Sequence, residues 1–216
     1  MPRSAILFDL DGTLVDSARD IAAALTRLSV ERGGQAVAVD RVRPLVSLGA
    51  ATLVATALGP VADDPQQDLA AFRALLRDAP SDPAIVYPDV EWALAALVDA
   101  GWRLAVVTNK PESLAVALLH THCLDRFFAC VAGGDTAARA KPDPAPLRHA
   151  LAALGATPEI ALFVGDSEVD AAAAAALAIP LLLYAGGYGV DAVAEKDAAG
   201  RFDGFADLPA LAAAHR

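Results

Sequence analysis

Cysteine is nearly absent: of 216 residues only Cys123 and Cys130 carry a thiol, which argues against a disulfide framework and for a reducing compartment. Long hydrophobic runs are missing too. The longest, from Ala171 to Ala185, is too short for a bilayer and contains Pro180, so no membrane partner is expected. Positive charge is scarce, with 17 Lys and Arg against 27 Asp and Glu and a formal net charge of −10. That balance argues against a nucleic-acid backbone as partner. A small anion remains a possible ligand where local cations dominate its site. No signal-peptide pattern precedes the first apolar run, so a cytoplasmic protein is expected. There is no internal repeat.

What the chain has in abundance is apolar residues, 56% of the total and many of them Ala, enough to bury a substantial core of closely packed helices. The length fits one large domain, or a core with a small insert. The organising stretch runs from Ala5 to Ser17. Ala5 to Phe8 reads as a strand buried on both faces, and it ends in Asp9-Leu10-Asp11-Gly12-Thr13, which cannot continue as core. Asp9 and Asp11, two apart on extended backbone, point to the same side. Such acids at the end of a buried strand are costly unless something cationic meets them.

After Asp16 the pattern turns helical. Asp16 or Ser17 caps a helix whose apolar stripe, Ile21, Leu25 and Leu28, runs to Gly33-Gly34. A second helix is expected over Arg41 to Leu58, bent at Pro44 and Gly49, and a third from about Gln66 to Arg77. Pro80, Pro83 and Pro88 make a rigid return. No strand is expected between residues 16 and 84, so the sequence predicts a helical cap (17–84) inserted into an α/β core (1–16 and 85–216). Beyond Asp89 strands and helices alternate. Strands are expected at Arg103 to Val107, Phe127 to Ala132, Ile160 to Val164 and, as the last core strand, Leu181 to Tyr184. The helices lie at Glu91 to Ala100, Pro111 to Leu119, up to Leu154, Glu168 to Ala178, and Leu208 to Ala214. This alternation predicts an α/β, doubly wound (Rossmann-like) parallel sheet, with ligands at the carboxyl ends of its strands.

Polar side chains collect at those ends. Asp9 and Asp11 follow the first strand, Thr108 and Asn109 the second, Lys141 the third, and Asp166 and Asp170 the fourth. Singly, each has an ordinary reading: a turn, a surface lysine, a helix cap. Together, at four strand ends, they describe a site.

Asp9-Leu10-Asp11-Gly12-Thr13, Val107-Thr108-Asn109, Lys141-Pro142 and Gly165-Asp166-Ser167-Glu168-Val169-Asp170 resemble, in order, the four motifs of the haloacid dehalogenase-like hydrolases. Val106 to Pro111, Gly133-Gly134-Asp135 and Lys141 to Leu147 are most similar to phosphoglycolate phosphatases within that superfamily. The resemblance implies a phosphomonoester hydrolase working through an aspartyl-phosphate on 2-phosphoglycolate or a similar small phosphorylated metabolite. Asp9 would be the nucleophile and Asp11 the acid and base, with Thr108 and Lys141 also catalytic. Leu10, Thr13, Thr108, Asn109 and Lys141 would bind substrate. Apart from the resemblance, Gly49 in the small-residue turn Val46 to Thr52 is read as permitting close backbone approach to the substrate's leaving group, with a plain kink at Pro44 and Gly49 as the alternative. Mg²⁺ would be held by Asp9, the Asp11 main-chain oxygen and Asp166, with Asp170 supporting from behind.

The chain departs from the family pattern in three places. Ala175 and Ala178 stand where relatives carry Arg and Gly, and Cys123 stands where they stop a helix with Gly. The run His120-Thr121-His122-Cys123 lacks a familiar zinc spacing and is read as structural. Rival readings are a sugar-phosphate phosphatase or phosphomutase of the same fold, and a catalytically silent phosphate-binding module. A monomer or a homodimer is expected.

Overall fold

The computed structural model describes residues 5–78 and 81–215. Strand β1 (Ala5–Phe8) lies inside a six-stranded sheet of order β3-β2-β1-β4-β5-β6. Its other strands are β2 (Arg103–Val107), β3 (Phe128–Ala132), β4 (Ala161–Gly165), β5 (Leu181–Tyr184) and β6 (Gly200–Phe202), and every pairing is parallel. Register puts Phe8 opposite Val106 on one side and Val164 on the other, so Asp9, Thr108 and Asp166 emerge near one level. The strand order reverses at β1. This is the topological switch point, where an open parallel sheet leaves a crevice at its carboxyl edge.

Both faces of the sheet are covered, which is why β1 has no polar residue. Ile6 and Phe8 point into a cluster with Leu94 and Leu97 of α5 (Val90–Asp99) and Ala115 and Leu119 of α6 (Glu112–Thr121). Ala5 and Leu7 point the other way, to Leu147 and Leu151 of α7 (Ala145–Leu154) and Ala173 and Ala174 of α8 (Glu168–Ala175). Phe8 is fully buried, and a side chain of that size removed from water contributes about 2–3 kcal/mol. A last helix, α9 (Leu208–Ala214), packs Leu208 and Ala212 into the first cluster.

Between β1 and α5 come the insert helices α1 (Ala18–Glu31), α2 (Val39–Val42), α3 (Ala50–Leu58) and α4 (Pro65–Asp78). They gather a separate apolar cluster that includes Ile21, Leu25, Val42, Leu53, Leu58 and Phe72. The chain leaves and returns side by side. Asp16 N–H donates to the Ile85 carbonyl at 2.7 Å, Tyr87 N–H donates to the Leu14 carbonyl at 3.1 Å, and Val15 and Val86 form an antiparallel bridge. As expected, no strand occurs between residues 16 and 84 among the described residues; Pro80 lies outside them.

Three elements differ from the sequence reading. The stretch read as one bent helix over 41–58 is two α-helices separated by a 3₁₀ run, Arg43–Leu48, with Pro44 in its first turn. Gly49 then breaks the chain direction at φ +89°. The last strand is β6 rather than β5. Gly200-Arg201-Phe202 is too short and too polar to announce itself, and it is held by pairing with β5. The helix expected to reach Ala178 stops at Ala175, because Ala178 turns left-handed at φ +54° while Ile179 N–H reaches back to the Ala174 carbonyl at 3.0 Å. Cys123 does the same after α6, at φ +56°. A β-carbon in that conformation costs on the order of 1 kcal/mol relative to glycine. Ala178→Gly is therefore expected to raise the melting temperature by about 1–3 °C. A thermal melt showing a decrease would refute this account of the strain.

Candidate active site

The residues at the strand ends converge. The Asp9 Oδ1 atom accepts from the Leu10 N–H at 2.7 Å and pairs with Lys141 Nζ at 2.9 Å, while its Oδ2 receives no hydrogen bond from the described residues. Lys141, from the loop after β3, is buried and also donates to Asp170 Oδ1 at 2.7 Å. Asp170 sits in the first turn of α8 and forms a capping box with Ser167: its Oδ2 accepts from the Ser167 N–H, the Ser167 hydroxyl and the Asp166 N–H. Both Asp170 oxygens are thus committed, and that fixes Lys141 in front of Asp9.

Asp166 is held just as firmly. Thr13 Oγ1 donates to its Oδ1 at 2.8 Å and Tyr188 N–H to its Oδ2 at 2.7 Å. Close packing makes glycine necessary around it: a β-carbon on Gly187 would collide with that of Asp166, and one on Gly12 would come within 2.6 Å of Asp166 Oδ2. Asp11 accepts from the Ser17 hydroxyl at 2.5 Å and pairs with Lys110 Nζ at 3.0 Å.

Charge in this crevice is unbalanced. Burial pushes the Asp9 carboxyl up to about 8 against the pull of Lys141, and burial together with the Asp170 charge pushes Asp166 up to about 7. Burial alone would lower the Lys141 ammonium, but Asp170 and Asp9 raise it above its ordinary value. Asp9, Asp166 and Asp170 each offer an oxygen within 4.8 Å of the others, the one group of three or more potential metal ligands among the described residues. An all-oxygen, buried, over-acidic set fits a hard divalent cation, which would restore the ionised state of these acids.

A cavity of about 10 Å³ is lined by Asp9, Asp11, Thr108, Asn109, Lys110 and Lys141, with Val46 and Ser47 of the insert closing it from above. Its main-chain donors are available, since the Asp11 and Asn109 N–H groups make no hydrogen bond among the described residues. Thr108 Oγ1 accepts from the Lys110 N–H, leaving its proton free to donate.

Several residues read from sequence as substrate binders are occupied otherwise. The Leu10 N–H is spent on Asp9, and the Thr13 hydroxyl on Asp166. The Asn109 side-chain amide donates to the Ser47 carbonyl at 3.1 Å and the Lys141 carbonyl at 2.9 Å, so it ties the insert to the core; its Oδ1 is buried without a partner, and its main-chain N–H is the donor left for an anion. Gly49 does not line the cavity, and a β-carbon there would meet nothing within 4 Å. Its glycine serves the positive φ, while Val46 and Ser47 make the approach. His120 pairs with Asp125, and His122 with Ser81, in keeping with the structural reading of that run.

The sequence reading missed Lys110 and Tyr188 as members of the site, and it counted Ser17 in the first motif without giving it a role there. Lys110 had a signal, as a cation immediately after Asn109 in an acidic chain. Tyr188 comes from the loop after β5, and besides its hold on Asp166 its hydroxyl donates to Asp16 Oδ1 at 2.7 Å. Nothing local in the sequence marks that contact.

Fold and site together define a doubly wound α/β protein whose first strand ends in buried carboxylates at the switch point of the sheet. The chain belongs to the haloacid dehalogenase-like hydrolases, whose family model matches residues 4–177. More particularly, it is similar to phosphoglycolate phosphatases. It is 40% identical to the plasmid-borne enzyme of Cupriavidus necator over 98% of this chain and 94% of that one. To the Rhodospirillum rubrum phosphoglycolate phosphatase it is 42% identical, over 96% and 90%. Among solved structures, a predicted phosphoglycolate phosphatase from Haemophilus somnus superposes with a TM-score of 0.85 at 29% identity, over 96% of this chain and 97% of that one. CbbY from Rhodobacter sphaeroides, in complex with phosphate, superposes with a TM-score of 0.73 at 28% identity, over 96% of each chain. Among the described residues no helix is long and apolar enough to cross a membrane.

Proposed function

We propose that the protein is a Mg²⁺-dependent phosphomonoester hydrolase acting on 2-phosphoglycolate or a similarly short phosphorylated acid. The observation that carries this reading is the meeting of Asp9, Asp11, Thr108 and Lys141 around one small cavity at the switch point of the sheet. Residues 1–16 and 85–216 form the catalytic core, and residues 17–84 the cap that closes over it.

In this mechanism the free Oδ2 of Asp9 attacks phosphorus in line. The bond to the leaving oxygen breaks and Asp11 supplies its proton, leaving an aspartyl-phosphate. Water then attacks that phosphorus, Asp11 takes the proton, and phosphate departs with Asp9 restored. Lys141, anchored by Asp170, stabilises charge on the phosphoryl oxygens, and the Thr108 hydroxyl with the Asp11 and Asn109 N–H groups positions them. Asp9, Asp166 and the Asp11 carbonyl would hold Mg²⁺, with Asp170 behind them; when bound, the ion supplies charge neutralisation between carboxylates and phosphate.

The metal assignment makes an expectation readable without turnover. Mg²⁺ should raise the melting temperature of chelator-treated protein, and Asp166→Ala should remove most of that shift and sharply raise the Mg²⁺ concentration needed for activity. Full phosphatase activity in excess chelator would refute the metal mechanism. The function itself is tested by phosphate release from a panel of phosphorylated metabolites. Preference for hexose phosphates would favour the sugar-phosphate reading instead.

A further inference from the structure

Beyond the phosphate cavity lies a second one, of about 30 Å³, which shares Asp11, Val46, Asn109 and Lys110 with it. Its remaining walls include Ile21, Leu53, Phe72, Leu76 and, from α4, Arg73. A leaving group attached to a phosphate at Asp9 has this space to enter.

Arg73 is out of place in such a wall. Three arginines of the insert are half-buried, and two have acids: Arg32 pairs with Asp68, and Arg43 with Asp16 at 2.9 Å. Arg73 has neither an ion pair nor a hydrogen bond among the described residues, and its Nε is buried without a partner. Its helical neighbours three and four residues away are Leu69, Ala70, Leu76 and Arg77, none of them acidic. The one acid in the cavity wall, Asp11, already accepts from Lys110 and Ser17. One guanidinium nitrogen is thus buried and unpaired at the cavity wall with no uncommitted acid among the described residues in reach, so the fork has donors to give to an anion that arrives with the ligand. Lys110 faces the same cavity and gives Asp11 two contacts, which leaves a third ammonium proton for another anion.

We propose that Arg73, with Lys110, forms an anion subsite that selects leaving groups ending in a carboxylate two carbons from the phosphoryl oxygen. The proposal rests on the phosphatase reading above and assigns the substrate's second charge to a named side chain. Arg73 is a specificity residue here: its guanidinium fork receives the carboxylate, while the chemistry stays with Asp9 and Asp11.

The test compares kcat/KM on 2-phosphoglycolate and on ethyl phosphate, which has the same length with a methyl in place of the carboxylate. Wild type should prefer 2-phosphoglycolate. Arg73→Gln should cut the ratio of the two values roughly 10- to 100-fold, the loss of one charge-assisted interaction, chiefly through KM for the acid. Arg73→Lys should fall between, because it keeps the charge without the fork. Should Arg73→Gln melt below the assay temperature, Arg73→Met, which keeps the apolar stem in place, carries the same comparison. A ratio unchanged by either neutral variant, or a wild type indifferent to the carboxylate, overturns the subsite and leaves the phosphatase reading standing. A wild type that hydrolyses neither compound, in a panel where it releases no phosphate at all, overturns both.

Discussion

Asp9→Asn is expected to abolish turnover, by roughly four orders of magnitude or more, while melting no lower than wild type in metal-free buffer. The two halves have one cause. Asp9 is buried beside Asp166 and Asp170, and its carboxyl is pushed up to about 8, so the fold gains little from its charge. An amide keeps the shape and an oxygen for the Leu10 N–H, and it removes a charge that burial penalises more than Lys141 offsets. It cannot form the acyl-phosphate. A site tuned for chemistry at the expense of stability is expected to behave this way. A folded Asp9→Asn protein with more than a few per cent of wild-type activity would show that the nucleophile lies elsewhere.

Lys141→Met should lose activity on a similar scale and, unlike Asp9→Asn, lose stability as well. Lys141 is almost wholly buried and its ammonium is shared by Asp9 and Asp170. Removing it leaves buried carboxylates without their cation, a change that costs about 3–5 kcal/mol. For a chain of this size that corresponds to a fall in melting temperature of about 10 °C or more. The pair of variants therefore separates two roles within 3 Å of each other: activity falls in both, and stability in one. An unchanged melting temperature for Lys141→Met would mean that the lysine is not the counter-charge of the site.

Much of this was legible in the chain because it depends on local pattern. Ala5 to Phe8 has to be a central strand, since nothing in it tolerates water, and acids placed after it have to gather at the sheet's edge. The parallel order follows from alternation with helices, and Asp9, Asp11, Thr108, Lys141 and Asp166 arrive where the motifs put them. What stayed hidden depends on which hydrogen bonds the loops choose once folded. Thr13 turns to Asp166, the Asn109 amide to Ser47 and Lys141, and Tyr188 reaches from the loop after β5 to Asp16. None of those choices has a period or a spacing. Gly49 shows the converse: glycine at a bend was read as close approach to a ligand, and the backbone uses it for a positive φ facing open space.

The bridge between Val15 and Val86 has a consequence for how this molecule can be taken apart and rebuilt. Because the outgoing and returning chains lie against each other through the Asp16–Ile85 and Tyr87–Leu14 hydrogen bonds, the chain passes between sheet and insert as a pair of adjacent stems. The loop-closure entropy of whatever joins those stems grows only slowly with its length. Helices of another size, or a short flexible tether, can in principle be spliced between them without disturbing the register of β1. Leaving-group recognition would then be exchangeable as a cassette, and the machinery on Asp9 would stay where the first strand puts it.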